Sequence, residues 1–384
     1  MIQTRTDTII AGWKETTLDE VAEFSNGRTS PKRFDSGKYK VFGSNGVIGF
    51  SDKTNAPKNT IVIGRVGSYC GSLYFSKNDC WVTDNAIRAN AKETSDPFYL
   101  YYLLVTQKLN SRAVGSGQPL INQEILNTID VLLPSLPEQK AIATVLSSVD
   151  DKIELLRRQN KNLEKIAQTI FKEWFVNFTV NGKKLRIDNS TDLPEGWTQK
   201  GLDEIAEFLN GLALQKYPPE NEADAIPVIK IRELKSGISG QTDKASTQIA
   251  PQYIVDNGDV LFSWSGSLEI VLWCYGKGAL NQHLFKVTSK KYPKWFYFHW
   301  ILKHLPFFKS IAEAKATTMG HIRRHHLAES LVVVPDSDFM AFADSKIRPV
   351  FEHIISNNSQ IQTLSRLRDS LLPKLMKGEI RVKT

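Results

Sequence analysis

The sequence predicts an α/β (α+β) fold with a two-fold repeat, in which two globular mixed α/β domains are separated by two long antiparallel helices that form a coiled-coil-like spacer. Three observations predict it: one segment is written twice, further matches follow it along the chain, and each copy ends in a long heptad pattern. The 384 residues suffice for two domains of about 130 to 150 residues with connecting helices.

The repeat begins with TLDEVAEFSNG at residues 17–27 and GLDEIAEFLNG at residues 201–211, which agree at eight of eleven positions at an offset of 184. The offset grows to 201 by Pro134 and Pro335 and stays there through the helix that follows. Matches of this extent predict two copies of one unit, each a globular module followed by a long helix.

Within each module, local patterns predict the elements. The repeated segment predicts a short amphipathic helix, with Thr17 as its cap and Asn26-Gly27 as a left-handed stop. Short apolar runs bounded by Gly, Asn and Asp predict strands, and two aromatic-rich runs predict buried helices. The strand runs are YKVFG, TIVIG and SLYF in the first copy and AIPVIKI, DVLFSW and EIVLW in the second, and the helical runs are PFYLYYLLVTQKL and KWFYFHWILKHL.

Each module is followed by apolar positions that recur every three or four residues, which is the pattern of a heptad seam. Polar residues interrupt the seam at Asn160, Asn357 and Arg368, and either a register-fixing buried residue or an exposed position explains them equally well. The seam residues are Ile142, Leu146, Val149, Ile153, Leu156, Leu163 and Ile170 in the first helix and Ile347, Val350, Ile354, Ile361, Leu364 and Leu371 in the second.

A single seam needs a partner, and the simplest partner for each long helix is the other one. A helix of about 35 residues is about 52 Å long, so an antiparallel pair is expected to hold the modules apart by one to one and a half turns of a DNA duplex. In the alternative, each helix folds back on its own module or pairs with a second chain. The predicted segments are a first domain at 1–134, a central long helix at 135–180, a linker at 181–192, a second domain at 193–336 and a distal long helix at 337–384.

Composition narrows the class of protein. The 49 basic and 41 acidic residues give a net charge of +8, which favours a polyanionic partner such as nucleic acid, although no single tail carries the excess. Three scattered cysteines predict buried free thiols. The sequence has neither an apolar stretch long enough for a membrane span nor a signal peptide at its start, so we expect a cytoplasmic protein without a membrane partner.

Candidates for catalysis are weak, and we predict no catalytic residue and no metal ligand. Glu233-Leu234-Lys235 has a nuclease-like spacing, and Asp96 begins a DPFY run that resembles part of a methyltransferase motif. His321 and His325 have helical spacing without a third ligand nearby. A nuclease or methyltransferase acting on its own, and a scaffold that binds only protein, stay open as alternatives.

Two loops rich in hydrogen-bond donors occupy matched places in the two copies, at GRVGS (64–68) and SWSGS (263–267), and a second pair precedes the last strand of each module. Glycine lets a backbone approach phosphates and bases closely, and Arg65 can bind guanine bidentately. The predicted DNA-contacting residues are Asn45, Lys53, Arg65, Gly67, Ser68, Asn85, Ser116, Gln118 and Asn122 in the first domain, and Lys230, Arg232, Trp264, Ser265, Ser267, Gln282, His283, Thr318, His321, Arg323 and Arg324 in the second.

Nearly the whole chain resembles the specificity subunit of type I DNA restriction-modification enzymes. The segments that carry the resemblance are FGSNGVIGF (42–50), VIGRVGS (62–68), LLPSLPEQKAI (132–142), LPEGW (193–197) and LLPKLMKGEIRV (371–382). The distal helix departs from the pattern, because PDSDFMAF stands where a second LPEQ-type start is expected.

The resemblance implies two target recognition domains, each reading one half of a split sequence in double-stranded DNA. It also implies that the helices seat two methyltransferase subunits, through which restriction and translocase subunits join. Such a subunit is non-catalytic and holds no cofactor, whereas the complete enzyme uses S-adenosylmethionine, ATP and magnesium. Because the loops of the two domains differ, we expect two different half-sites.

Overall fold

The computed structural model describes residues 12–115, 117–314 and 320–382. They form two compact units. The first unit contains the chain up to Lys152 together with the chain from Leu364, and the second contains Ile153–Thr363. This division falls inside both long helices, whereas the sequence-based segments place each long helix in a segment of its own.

The first domain contains three sets of paired strands. One is a four-stranded antiparallel sheet in the order β2-β8-β5-β6, another has the order β4-β3-β7 with β3 and β7 parallel, and the third is the pair β1-β9. The strands are β1 (Lys14–Thr17), β2 (Ala22–Asn26), β3 (Tyr39–Gly43), β4 (Gly46–Ser51), β5 (Thr60–Gly64), β6 (Leu73–Ser76), β7 (Cys80–Val82), β8 (Ala86–Ala91) and β9 (Asp130–Leu133), and the helices are α1 (Leu18–Val21), α2 (Pro97–Thr106) and α3 (Gln123–Asn127).

A long helix, α4 (Leu136–Phe171), follows and runs into a π-helical turn at Lys172–Val176. Two short hairpins then occupy the predicted linker and its borders. Their strands are β10 (Thr179–Val180), β11 (Lys183–Lys184), β12 (Ile187–Asp188) and β13 (Leu193–Pro194).

The second domain repeats the first. Its antiparallel sheet has the order β15-β22-β19-β20, its mixed sheet has the order β17-β16-β21-β18 with β16 and β21 parallel, and β14 pairs with β23. The strands are β14 (Thr198–Gly201), β15 (Glu207–Asn210), β16 (Ala225–Ile229), β17 (Lys244–Ser246), β18 (Ile254–Val255), β19 (Val260–Ser263), β20 (Ile270–Leu272), β21 (Gly278–Leu280), β22 (Leu284–Thr288) and β23 (Leu331–Val334). The helices are α5 (Leu202–Ile205), α6 (Ile231–Ser236), α7 (Lys294–Glu313), α8 (Arg324–Glu329) and the distal α9 (Ser337–Met376). Equivalent strands are therefore ordered alike in the two domains, and the predicted two-fold repeat is confirmed.

The predicted strands and aromatic helices are present. Each predicted strand run overlaps a strand of the structure, and the two aromatic runs form α2 and α7. These helices supply large buried side chains to the cores of their own domains, among them Tyr99 in the first domain and Trp295 and Trp300 in the second.

The prediction for the repeated segment was wrong beyond its first turn. Only Leu18–Val21 is helical, and Ala22–Asn26 forms β2, because pairing along β8 outweighs the local helical pattern. Thr17 makes no side-chain cap, and the amide of Leu18, the first residue of the helix, bonds to the carbonyl of Ile129 at 2.9 Å.

The two long helices pair antiparallel in each unit. In the first unit, the guanidinium of Arg368 binds Asp150 and that of Arg381 binds Glu138, so later residues of α9 and the chain beyond it lie beside earlier residues of α4. In the second unit, Asn357 bonds to Asn160, and the ring of Phe342 stacks on that of Trp174 at 5.3 Å. The side chain of Asp336 caps α9 by accepting a hydrogen bond from the amide of Phe339 at 2.8 Å.

None of the thirteen predicted seam residues is exposed. Seven of them are fully buried, and Val149, Leu163, Ile170, Val350, Leu364 and Leu371 are half-buried. Asn160 and Asn357 are also buried, which decides between the two explanations offered for these polar positions.

Cys70, Cys80 and Cys274 are buried and unpaired, which confirms the prediction of free thiols. Burial raises the pKa of each of these thiols, so they are held in the neutral form. No helix among the described residues combines the length and the apolarity that crossing a membrane requires.

Candidate nucleic-acid interface

Three loops of the first domain are joined by backbone hydrogen bonds. The amide of Ile121 donates to the carbonyl of Arg65 at 3.0 Å, and the amide of Arg65 donates to the carbonyl of Asn85 at 3.0 Å. The amide of Gly67 completes the set by donating to Pro119 at 3.0 Å. We call the connected loops 65–68, 83–85 and 118–122 the loop frame of the first domain.

The second domain builds the same loop frame from 264–267, 281–283 and 320–324. Trp264 takes the place of Arg65: its carbonyl accepts from Ile322 at 3.0 Å, and its amide donates to His283 at 3.3 Å. The amide of Gly266 donates to Gly320 at 2.9 Å. Because these bonds involve only backbone atoms, the two domains present different side chains on the same support.

A glycine of the repeated segment lets each loop frame close. A Cβ atom on Gly27 would lie 2.0 Å from the carbonyl oxygen of Thr83, and one on Gly211 would lie 2.3 Å from that of Asn281. Neither glycine has a left-handed backbone, so the predicted left-handed stop at Gly27 was wrong, and close approach explains the glycine instead. Sequence reasoning missed this role, although the duplicated Asn-Gly was its signal.

The first loop frame displays a mixed set of side chains. Arg65 is half-buried, its Nη1 atom lies 3.4 Å from the carbonyl of Asp84, and its buried Nε atom has no hydrogen-bond partner among the described residues. Ser68, Asn85 and Gln118 are exposed. Gly67 adopts a φ of +74°, which favours glycine. Ser116, also predicted to contact DNA, lies outside the described residues.

Other predicted residues of the first domain take different positions. Asn122 caps α3, because its Oδ1 atom accepts from the amide of Ile125 at 2.9 Å, which leaves its amide group for other partners. Asn45 is exposed in the turn between β3 and β4, and this turn is close to the frame, since a Cβ on Gly64 would lie 2.7 Å from the carbonyl of Ser44. Lys53 is exposed beyond the other end of β4.

In the second loop frame, Trp264 is the central side chain. Its indole nitrogen donates to Asn210 at 2.9 Å and to the carbonyl of Gln282 at 3.2 Å, and the His321 ring lies nearly perpendicular to the indole ring, with 6.3 Å between the ring centroids. Ser265 is buried and bonds through Oγ to Nδ1 of His283 at 3.0 Å. Ser265 therefore orients His283 and is itself inaccessible.

A cleft of about 490 Å³ opens beside this frame. Of the predicted residues, Lys230, Gln282 and His283 line it, and Lys230 is bonded to Asp243. Sequence reasoning missed the other lining residues, which carry no local motif. They are Leu214, Gln215, Val228, Asp243, Lys244 and Asn281.

Arg232 is exposed and does not line the cleft. Its Nε atom bonds to the fully buried carboxylate of Glu233 at 2.9 Å, and its Nη2 atom bonds to the carbonyl of Gln241 at 2.9 Å. These two acceptors orient the guanidinium, and a contact of Arg232 with DNA stays a prediction.

Three further predicted residues, Ser267, Arg323 and Arg324, belong to the second loop frame. Ser267 accepts a 2.7 Å hydrogen bond from Lys235, while Arg323 and Arg324 are exposed at the start of α8. A helix start with two exposed guanidinium groups suits phosphate or base contacts. Thr318 lies outside the described residues.

The groups that suggested catalysis have structural roles. Glu233 is buried and accepts from Arg232 and Thr242, and Asp96 caps α2 by accepting from the amides of Phe98 and Tyr99 at 3.0 Å. In the ranges that the structure describes, no group of three or more His, Cys, Asp or Glu side chains is arranged to hold a metal ion.

Comparison with known proteins agrees with this geometry. The family model of the type I restriction modification DNA specificity domain matches residues 10–165 and 194–339. The type I restriction enzyme MjaIX specificity subunit of Methanocaldococcus jannaschii is 28% identical over 341 residues, which cover 85% of this chain and 78% of that protein. The type I restriction enzyme HindI specificity subunit of Haemophilus influenzae is 21% identical over 357 residues, covering 74% and 77%.

Among solved structures, the crystal structure of a type I restriction-modification system S subunit from M. genitalium is similar, with a TM-score of 0.66 and 18% sequence identity over 97% of this chain and 98% of that one. At this level of identity, the likeness concerns the fold. The two matched segments lie one in each half of the chain and together cover most of it. The chain therefore belongs to the family of type I restriction modification DNA specificity domains.

Proposed function

We propose that the chain is the specificity subunit of a type I restriction-modification complex in the cytoplasm. Residues 1–134 read one half of a bipartite target in double-stranded DNA, and residues 193–336 read the other half. The observation that carries the proposal is the loop frame, which three equivalent backbone hydrogen bonds build in each domain around unlike side chains.

Different side chains on one support favour different half-sites. The first frame offers a guanidinium with the exposed polar groups of Asn85 and Gln118, whereas the second offers an indole, an imidazole and a pair of arginines. Arginine pairs with guanine and the amides pair with adenine in the major groove, so the two sets have different preferences.

Surface features of the long helices support the docking of partner subunits. Leu155 and Ile166 of α4 and Leu367 of α9 expose 41%, 48% and 44% of their surface, although they lie on helices whose seam is already filled. Leu155 and Ile166 are eleven residues apart, which is about three helical turns, so both belong to one face of α4, and we infer that another protein covers this face. We assign it to two methyltransferase subunits, through which the restriction subunits join.

In this proposal the chain itself catalyses nothing and holds no cofactor. S-adenosylmethionine, ATP and magnesium belong to the subunits that it recruits. The structural roles of Glu233 and Asp96 support this division, since each carboxylate is already committed to hydrogen bonds within the fold.

The direct test is a methylome of a host that expresses the chain with its methyltransferase subunits. We expect a single methylated motif with two unlike halves and a fixed gap, and its loss when the gene for this chain is deleted. A motif without a gap would contradict the proposal.

Two assays on the purified chain separate the alternatives. Cleavage or methylation of DNA by the chain alone, with magnesium and S-adenosylmethionine, would identify an enzyme. Selection from random duplexes that returns no split motif would identify a scaffold that binds only protein.

A further inference from the structure

Asn160 and Asn357 form a polar layer inside the helix pair of the second unit. Asn357 donates to Oδ1 of Asn160 at 2.9 Å, and Asn160 donates to Oδ1 of Asn358 at 2.8 Å. The two side chains are only 5% and 2% exposed. Each amide thus depends on the opposite helix for its partner, because water does not reach it.

The adjacent layer is apolar. The Asn160–Asn357 bond sets the register of the antiparallel pair, so one helical turn away Leu156 of α4 and Ile361 of α9 are expected to face each other, and both are buried. The sequence repeat, with its offset of 201, relates Leu156 to Asn357 and Asn160 to Ile361. Each residue of the polar layer therefore corresponds, in the sequence repeat, to a residue of the apolar layer.

This correspondence between the two layers disfavours the pairing of a long helix with its own copy in a second chain. If α4 paired with α4 of a second chain in the repeat-related way, Leu156 would stand in the place of Asn357 and would face Asn160. If α9 paired with α9, Asn357 would face Ile361. In a pair of two α4 helices Asn160 loses both of its side-chain partners, because Leu156 and Arg157 replace Asn357 and Asn358. In a pair of two α9 helices Asn357 loses its bond to Asn160, whereas pairing of α4 with α9 keeps these bonds.

We propose that the Asn160–Asn357 pair selects the partner of each long helix, so that the seam of α4 accepts α9 and rejects a second copy of itself. The selection goes beyond DNA recognition. It keeps the two long helices of one chain together, where helices related by the repeat would otherwise also pair with their own copies in a second chain.

The ion pair between Asp150 and Arg368 in the first unit also favours pairing of α4 with α9. Asp150 binds Arg368 at 2.8 Å, and the repeat relates these positions to Phe351 and Ala167. In a pair of two α4 helices, Asp150 would face Ala167 and lose its cation. Charged and polar groups at single seam positions commonly set which helices pair.

The test uses the full chain with a protease site inserted between Asn189 and Ser190, two exposed residues in the turn between β12 and β13. Cutting there separates a fragment with α4 from a fragment with α9. The cut protein is unfolded in urea and refolded by dilution, and native mass spectrometry counts the pairs. We expect the unsubstituted protein to form pairs of unlike fragments.

Leu156→Asn is the decisive variant. In a pair of two α4 helices, the new Asn side chain at position 156 gives Asn160 a partner. In the pair of α4 with α9, the same side chain faces Ile361 and has no partner. We therefore expect pairs of two α4 fragments to increase about tenfold or more. Asn160→Leu is a second variant that favours the same pairs by making both layers apolar. Asn162→Leu, the same change at an exposed position of α4, is the control and should change nothing.

Circular dichroism of the uncut variants verifies that they fold, and sedimentation velocity of uncut Leu156→Asn should show dimers. The proposal is overturned if the unsubstituted fragments form like pairs as often as unlike ones. It is also overturned if the fraction of like pairs is the same in Leu156→Asn, Asn160→Leu and Asn162→Leu.

Discussion

The carboxylate of Asp150 in α4 accepts a 2.8 Å hydrogen bond from Nη1 of Arg368 in α9. Its second oxygen accepts from the hydroxyl of Tyr102 in α2 at 2.7 Å. Burial and this bond to a carboxylate raise the pKa of Tyr102 above its ordinary value, which keeps the hydroxyl a donor. One carboxylate thus joins both long helices to the first domain.

Replacing Arg368 with methionine should lower the free energy of unfolding by about 1–3 kcal/mol, because Asp150 loses its cation while it stays half-buried. Urea denaturation measures the change. Arg157→Met, on an exposed face of α4, is the matched control and should stay within about 0.5 kcal/mol of the unsubstituted protein. Equal losses in the two variants would contradict a specific role for the ion pair.

Stability should fall in acid because of His299. Burial lowers the pKa of His299 to about 4, whereas an unfolded histidine titrates near about 6.5. Between these values the unfolded chain binds a proton that the folded chain does not, so the free energy of unfolding decreases as the pH falls.

His299→Phe keeps an aromatic ring beside Phe171 and removes the titration. The difference in unfolding free energy between the unsubstituted protein and this variant should change by up to about 1.4 kcal/mol per pH unit below pH 6.5, measured in urea at a series of pH values. His353→Phe, at an exposed histidine, should leave the pH dependence intact. Parallel curves for His299→Phe and the unsubstituted protein would refute the assignment.

Gly211→Ala should disturb the second loop frame. The added Cβ would lie 2.3 Å from the carbonyl oxygen of Asn281, so the backbone must shift, at a cost of about 1–3 kcal/mol. Thermal unfolding measures this cost, and binding assays should show weaker discrimination at one half-site. Gly240→Ala has open space around it and should be neutral on both counts. Loss of discrimination at both half-sites would argue against separate frames.

Arg65→Ala should weaken base discrimination at one half-site, and Arg323→Ala should weaken it at the other. Each arginine belongs to one loop frame, so the effects should not overlap. Competition binding with duplexes altered in a single half-site measures this. A substitution that weakens binding equally for all sequences would mark that arginine as a phosphate contact.

Lengthening both long helices should lengthen the gap in the DNA target. One heptad is inserted between Leu156 and Asn160, and another between Asn357 and Ile361, so that the seam stays in phase. Each helix becomes about 10 Å longer, a length that equals about three base pairs of DNA. A methylome of cells carrying this variant should show the same half-sites farther apart. An unaltered gap would remove the spacer hypothesis.

The sequence predicted elements where periodicity and repetition reinforce one another. The heptad positions from Ile142 and from Ile347 lie on the inner faces of the helices, and the apolar runs around Val62 and Phe262 form central strands. The stretch after Val21 was wrongly predicted as helix. The helical pattern there is local, whereas the strand forms by pairing β2 with β8, which is distant in sequence.

Side-chain partners were beyond sequence reasoning. Arg232 was predicted to contact DNA, and its bond to the buried carboxylate of the next residue, Glu233, was not foreseen. Ser265 was predicted as a contact and is enclosed behind His283. Such assignments depend on distances of a few ångströms between loops that lie far apart in sequence, which no local pattern encodes.

The loop frames have a consequence for how such a protein diversifies. Because the three hydrogen bonds that the two frames share join backbone amides to carbonyls, replacing the side chain of Arg65, Asn85 or Gln118 leaves those bonds in place. New recognition can therefore arise by point substitution without compensating changes elsewhere, and each half of the chain is free to acquire its own preference at its own pace.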